Sequence, residues 1–99
     1  MKMTVLAFEV NRAFGEKLRS TRDKAGLSQA ELASRSSTGR TTIANMEIGG
    51  QAATVFQLFA LAQALGVTPA DLLPDLPSTT SSDDIQRLLL RRQAILSQV

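Results

Sequence analysis

"SQAELASRSSTGRTTIANMEIGG", residues 28–50, decides how this chain folds. Ser28 followed by Glu31 is the S-x-x-E signal of a capping box. The Ser hydroxyl accepts from the backbone N–H three residues on, and the Glu side chain accepts from the Ser N–H. Such a cap stabilises a helix by roughly 0.5–2 kcal/mol. Ala30, Leu32 and Ala33 supply the apolar residues of a helix barely two turns long, about residues 29–36. Ser, Thr and Gly crowd the next few positions, which is the composition of a turn. Ile43 and Met46 then reappear at helical spacing, Glu47 follows, and Gly49-Gly50 stops the run. This third helix, about residues 40–46, has enough apolar side chains to anchor one face and no more. Arg40, Thr41, Ala44 and Asn45 are left on the other face, either as ordinary solvent-facing residues or for a partner.

Outward from this stretch the chain divides into further short helices. Before it, Phe14, Leu18 and Thr21 form one stripe, and Gly26 ends the run as a C′ glycine. The first ten residues fit two periods. Thr4, Leu6, Phe8 and Val10 alternate as a strand would, while Leu6, Val10, Ala13 and Phe14 extend the first helix; the helical reading is preferred. After it, Thr54 caps a fourth helix whose apolar face is Val55, Leu58, Phe59, Leu61, Ala62 and Leu65, with Gly66 as its stop. Thr68, Pro69 and Asp71 open a short fifth helix, which Pro74 terminates. Residues 75–81 read as a linker, and residues 82–99 as a helix with the stripe Ile85, Leu88, Leu89, Ile95, Leu96 and Val99. An isolated helix of that length is marginal in water. The stripe must pack on its own domain, on a second copy, or on another protein.

Ninety-nine residues at 43% hydrophobic make one domain with at most a small appendage. Phe8, Phe14, Phe56 and Phe59 are the only aromatics, so the core is expected to be mostly Leu, Val, Ile and Ala. Residues 1–50 carry eight Lys or Arg against five Asp or Glu, and residues 51–99 three against four. The small basic surplus sits in the half that holds the opening stretch, a weak pointer to a polyanion. No Cys is present, which excludes disulfides and thiolate metal sites and fits a reducing cytoplasm. No apolar run approaches the ~20 residues needed to span a bilayer. The start, "MKMTVLAFEV", lacks the apolar length and cleavage site of a signal peptide. With no His, no Cys and no phosphate-binding loop, neither an enzyme nor a cofactor or metal site is expected.

Two short helices joined by a tight turn and backed by a longer one follow the helix-turn-helix plan. The residues carry a closer likeness. "GEKLRSTRDKAGLSQAELASRSSTGRTTIANMEIGG" followed by "LFALAQALGVTPADLL" resembles the Cro and phage-repressor (Xre-like) helix-turn-helix family, from about Ala13 to Leu73. The resemblance implies an all-α fold: a compact five-helix DNA-binding domain over residues 13–74, after an N-terminal extension at 1–12, with the linker 75–81 and the C-terminal helix 82–99 behind it. It implies a cytoplasmic transcriptional regulator of double-stranded DNA. The expected form is a homodimeric autorepressor that reads a palindromic operator with its third helix in the major groove. The alternative is an antitoxin or adaptor that acts mainly through the C-terminal helix on a protein partner, a toxin or co-regulator.

Family base contacts map onto Arg40, Thr41 and Asn45, and side-chain chemistry adds Ala44. Arg can pair bidentately with guanine, Asn with adenine, and a methyl group can meet the thymine methyl. Gln29 resembles the family's phosphate-clamping Gln at a helix N-terminus, where free N–H groups favour an anion. Arg19 and the N–H groups of Gly49, Gly50 and Gln51 are further candidates for the DNA backbone. Arg22 and Glu47 match a family ion pair that ties the first helix to the end of the third. The turn departs from the pattern: Ser37 replaces a usual Gly, Thr38 an apolar residue, and Gly39 a Ser or Thr cap. A left-handed conformation at Ser37 would cost a non-Gly residue roughly 1–2 kcal/mol, so the turn is expected to be looser, or shifted so that Gly39 takes the strained conformation, which would move the frame of the third helix by about one residue.

Overall fold

The computed structural model describes residues 5–74 and residue 90. Its elements are α1 (Val5–Lys24), α2 (Gln29–Ser36), α3 (Arg40–Glu47), α4 (Val55–Leu65) and α5 (Pro69–Leu72), and the described residues include no strand. The start of the chain is therefore helical from Val5, and α1 runs without a break past Arg12, the end of the expected extension. The linker and the stripe Ile85, Leu88, Leu89, Ile95, Leu96 and Val99 lie outside the described residues.

Local chemistry starts three of these helices in the same way. Ser28 Oγ accepts from the Glu31 N–H at 3.0 Å, while Glu31 Oε1 accepts from the Ser28 N–H at 3.1 Å. Thr54 and Gln57 form the same reciprocal pair at α4, and Thr68 and Asp71 at α5, where Pro69 occupies the first turn. Each box satisfies two N–H groups that a helix start otherwise leaves unpaired.

Phe14 and Leu18 of α1, Leu27, Leu32 of α2, Ile43 and Met46 of α3, Leu61, Ala62 and Leu65 of α4, and Leu72 of α5 make one buried cluster. Every element contributes to it, so no helix is held by its own propensity alone. Of the four phenylalanines only Phe14 joins it; Phe8, Phe56 and Phe59 are exposed. On α4 the expected apolar face is divided, because Leu61, Ala62 and Leu65 meet the core while Val55 and Phe59 point away from it. A helix apolar nearly all round does not reveal in advance which side faces inward.

Contrary to expectation, the turn between α2 and α3 is not shifted to put the strain on Gly39, and Ser37 itself takes the strained conformation. Ser37 sits in the left-handed region at φ 55°, ψ 29°, and Gly39 is an extended N-cap at φ −61°, ψ 145°. Ser36 and Thr38 beside it are buried, with the Ser36 hydroxyl donating to the Leu32 carbonyl at 2.7 Å. Ser37→Gly removes the Cβ strain but gives the unfolded chain more freedom. A net gain of about 0.5–1 kcal/mol is expected, read as a Tm higher by several degrees. An unchanged Tm would show that the strain only matches the entropy lost to glycine, and a lower Tm that it is smaller than that.

Candidate nucleic-acid interface

Three buried residues orient α3. Ile43 and Met46 are fully covered by the core, and Glu47 is 8% exposed. The opposite side presents Arg40 and Thr41 exposed and Ala44 and Asn45 half-exposed. Among the described residues, no hydrogen bond or ion pair engages the side chains of Arg40, Thr41 or Asn45. These four side chains share one face of a helix whose other face is fixed.

Glu47 is the fastening point. Arg22 Nε donates to Glu47 Oε2 at 2.7 Å and Arg22 Nη2 to Oε1 at 2.9 Å, a bidentate pair between α1 and the last turn of α3. Arg22 Nη1 also donates to the Leu27 carbonyl at 2.8 Å, which ties in the loop before α2. Gln29 Nε2 donates to Glu47 Oε1 at 3.1 Å, so the first residue of α2 joins the same cluster. One carboxylate thus accepts from two helices and holds a third. Burial would push the Glu47 carboxyl up. The hydrogen bonds from Arg22 and Gln29, with the charges of Arg22 and Arg19, outweigh it and leave the group below the ordinary carboxylate range. The Arg22 guanidinium is held above its ordinary value, chiefly by its hydrogen bond to Glu47.

A close backbone approach completes the fastening. Gly15 lies buried in α1, where a Cβ would overlap the Met46 carbonyl oxygen and lie 2.8 Å from that of Glu47. No side chain fits, because the obstacle is backbone. Gly49, at φ +81°, is buried against α1, with its Cβ position 3.0 Å from Arg12 Cα. Gly15 is a residue of this site that the sequence alone does not single out. Its one signal was a glycine inside an otherwise helical run, which usually has a packing reason.

The candidate backbone contacts are placed as follows. Arg19 is exposed on α1, and its charge reaches Glu47. Gln29 stands at the start of α2, but one amide N–H is committed to Glu47. The Gly49 N–H donates to the Met46 carbonyl at 3.1 Å and the Gly50 N–H to the Asn45 carbonyl at 2.8 Å. Both amides therefore close the end of α3 and are occupied, at the end of a helix dipole that disfavours an anion. Gln51 follows them, half-buried.

Removing half of the buried pair leaves the other charge uncompensated, which costs about 3–5 kcal/mol. Glu47→Gln is expected at the low end of that range, because Arg22 keeps the Leu27 carbonyl and the Asp23 carboxylate at 3.4 Å. Because the folded carboxyl lies below its unfolded value, its contribution is complete above about pH 4.3. It is lost as pH falls through the folded value. Urea melts from pH 7 to pH 3 should show this acid-limb loss in the parent and not in Glu47→Gln. Parallel pH profiles would contradict it.

Comparisons with known proteins agree with the fold. A helix-turn-helix family profile matches residues 18–72. The restriction-modification controller protein C.AhdI from Aeromonas hydrophila is 33% identical over 64% of this chain and 96% of its own, with a TM-score of 0.62. Two structures of the clp gene regulator ClgR from Corynebacterium glutamicum also align. One is 30% identical over 64% of this chain and 82% of its own, with a TM-score of 0.61. The other is 26% identical over 90% and 87%, with a TM-score of 0.63. No curated protein matches by sequence. Among the described residues no helix is long and apolar enough to cross a membrane. The family match spans more than half of the 99 residues: this chain belongs to the helix-turn-helix family of DNA-binding transcription regulators and is not an enzyme.

Proposed function

We propose that this protein is a cytoplasmic, dimeric repressor that reads a palindromic operator with α3 in the major groove and shuts down its own promoter. The observation that supports it is the α3 face, with Arg40 and Thr41 exposed, Ala44 and Asn45 half-exposed, and a rigid attachment behind them. Arg40 is suited to guanine O6 and N7 and Asn45 to adenine N6 and N7. The Thr41 methyl and Ala44 are small enough for close approach and suit thymine methyl groups.

Phosphate contacts would position the helix without reading sequence. Arg19 is the cation suited to that role, with Gln29's second amide N–H and Gln51 beside it. The start of α2 adds its dipole on the same side as Gln29. The occupied amides of Gly49 and Gly50 leave fewer backbone donors here than the sequence suggests. With few cations near α3, one copy would bind weakly. Two copies on half-sites one helical turn apart, roughly 34 Å, would supply the rest.

Titration onto a fluorescent duplex from upstream of the protein's own gene tests this, read by anisotropy against scrambled competitor. Asn45→Ala should cost about 1–3 kcal/mol on the cognate site and relax preference at one base pair. Arg19→Ala should weaken all sequences alike and reduce the salt slope by about 1. Binding that competitor abolishes, and that Asn45→Ala leaves unchanged, would reduce the protein to non-specific phosphate attraction.

A further inference from the structure

An apolar groove stands open where the chain leaves the domain. Val10 and Phe14 of α1, Ala53 in the loop after α3, Val55 and Leu58 of α4, and Leu73 after α5 line a cavity of about 160 Å³. Its lining carries no charge and includes none of the polar residues of α3. Val55 is 73% exposed and Leu73 50%, and Leu6, one turn before Val10 on α1, is 39% exposed. Pro74, where the described domain ends, forms part of the wall. The next residues of the chain therefore start at the edge of the groove.

We propose that this groove seats the C-terminal segment of the same chain, with Leu88 and Leu89 of the apolar stripe against α1 and α4. Connectivity selects this occupant. The ten residues 75–84 separate Pro74 from Ile85. Extended, they reach up to roughly 35 Å, so the stripe meets a groove that Pro74 itself borders without strain. Size selects it too. A cavity of about 150 Å³ takes one benzene ring, so this groove accepts one or two aliphatic side chains. That is too little to join free proteins, whose specific interfaces bury about 1,000 Å² or more. A tethered segment escapes the requirement, because a short linker holds it at an effective concentration in the millimolar range and little translational freedom is left to lose. Helical phase agrees with both. On a helix that carries Ile85, Leu88 and Leu89 on one side, Leu90 falls on the other with Arg87. Leu90 is helical and 55% exposed, as a residue facing away from the groove would be. Seated there, the segment braces the loop that joins α3 to α4 and leaves the polar face of α3 uncovered. The inference holds whether or not that face reads DNA.

Disulfide trapping in the full chain, which has no native Cys, is the test. Val55→Cys/Leu88→Cys should oxidise within one chain, at a rate independent of protein concentration. The rate should exceed that of Val55→Cys/Leu90→Cys at least about 10-fold, since seating raises the effective concentration of one position and not the other. Gln63→Cys/Leu88→Cys, with its first cysteine in the separate groove beside Phe56 and Phe59, should be as slow as the Leu90 pair. Equal rates at Leu88 and Leu90 would overturn the inference, because an unseated tail collides with α4 at random. Faster linkage to Gln63 would overturn it by placing the stripe in the other groove, and a disulfide-linked dimer by placing it on a second copy. A second readout needs no cysteine. Leu88→Glu/Leu89→Glu should shift the amide resonances of Ala53, Val55 and Leu73, and unchanged resonances there would also overturn the inference.

Discussion

The contact between α1 and the last turn of α3 sets the geometry on which the rest of the molecule depends. Gly15 lets the two backbones approach until a methyl group would not fit, and Glu47 then reaches Arg22 with both oxygens. The two features constrain different things. Close backbone approach fixes the distance between the helices, whereas a bidentate guanidinium–carboxylate pair fixes their relative rotation because both groups are planar. α3 is only eight residues long and has no side-chain cap at its start. Alone it would not persist. Fastened at one end by α1 and packed on the core through Ile43 and Met46, it becomes a rigid platform for four short or planar side chains.

This also explains why a charge is buried in so small a domain. A buried ion pair is poor evidence for net stability, since the desolvation of both partners offsets much of their attraction. Its use here is orientation. Gln29 extends the effect, because a side chain at the start of α2 donates to the same carboxylate. The two helices of the motif and the helix behind them therefore share one acceptor, and a shift in any of them is felt at Glu47. The occupied amides of Gly49 and Gly50 belong to the same economy: they finish α3 rather than offering donors to a phosphate.

Much of the fold could be read from residues whose partners are local. Ser28 with Glu31 and Thr68 with Asp71 announced helix starts correctly, and Gly26 and Gly66 announced ends. Thr54 is legible as a cap, whereas the part of Gln57 in the capping box comes only from the structure. The start of α1 was ambiguous because its apolar residues satisfy two periods at once. The strained residue in the turn is Ser37 and not the expected Gly39, since composition locates a turn without assigning its dihedral angles. Non-local facts were the hardest. Nothing near Gly15 in the sequence says that Met46 and Glu47 pass over it. The apolar pattern of α4 likewise could not say that Phe56 and Phe59 would face outward. The Arg22–Glu47 pair, 25 positions apart, was legible only through family resemblance.

If the proposed function holds, the fixed, polar face of α3 meets DNA and the apolar face of α4 does not. The most direct measurement is an NMR titration of ¹⁵N-labelled protein with the duplex from its own promoter region, following every assigned amide. The largest changes should fall on Arg40, Thr41, Ala44 and Asn45, with smaller ones at Arg19 and Gln29, while Phe56 and Phe59 stay unmoved. Changes concentrated on α4, with the four α3 residues unaffected, would contradict it.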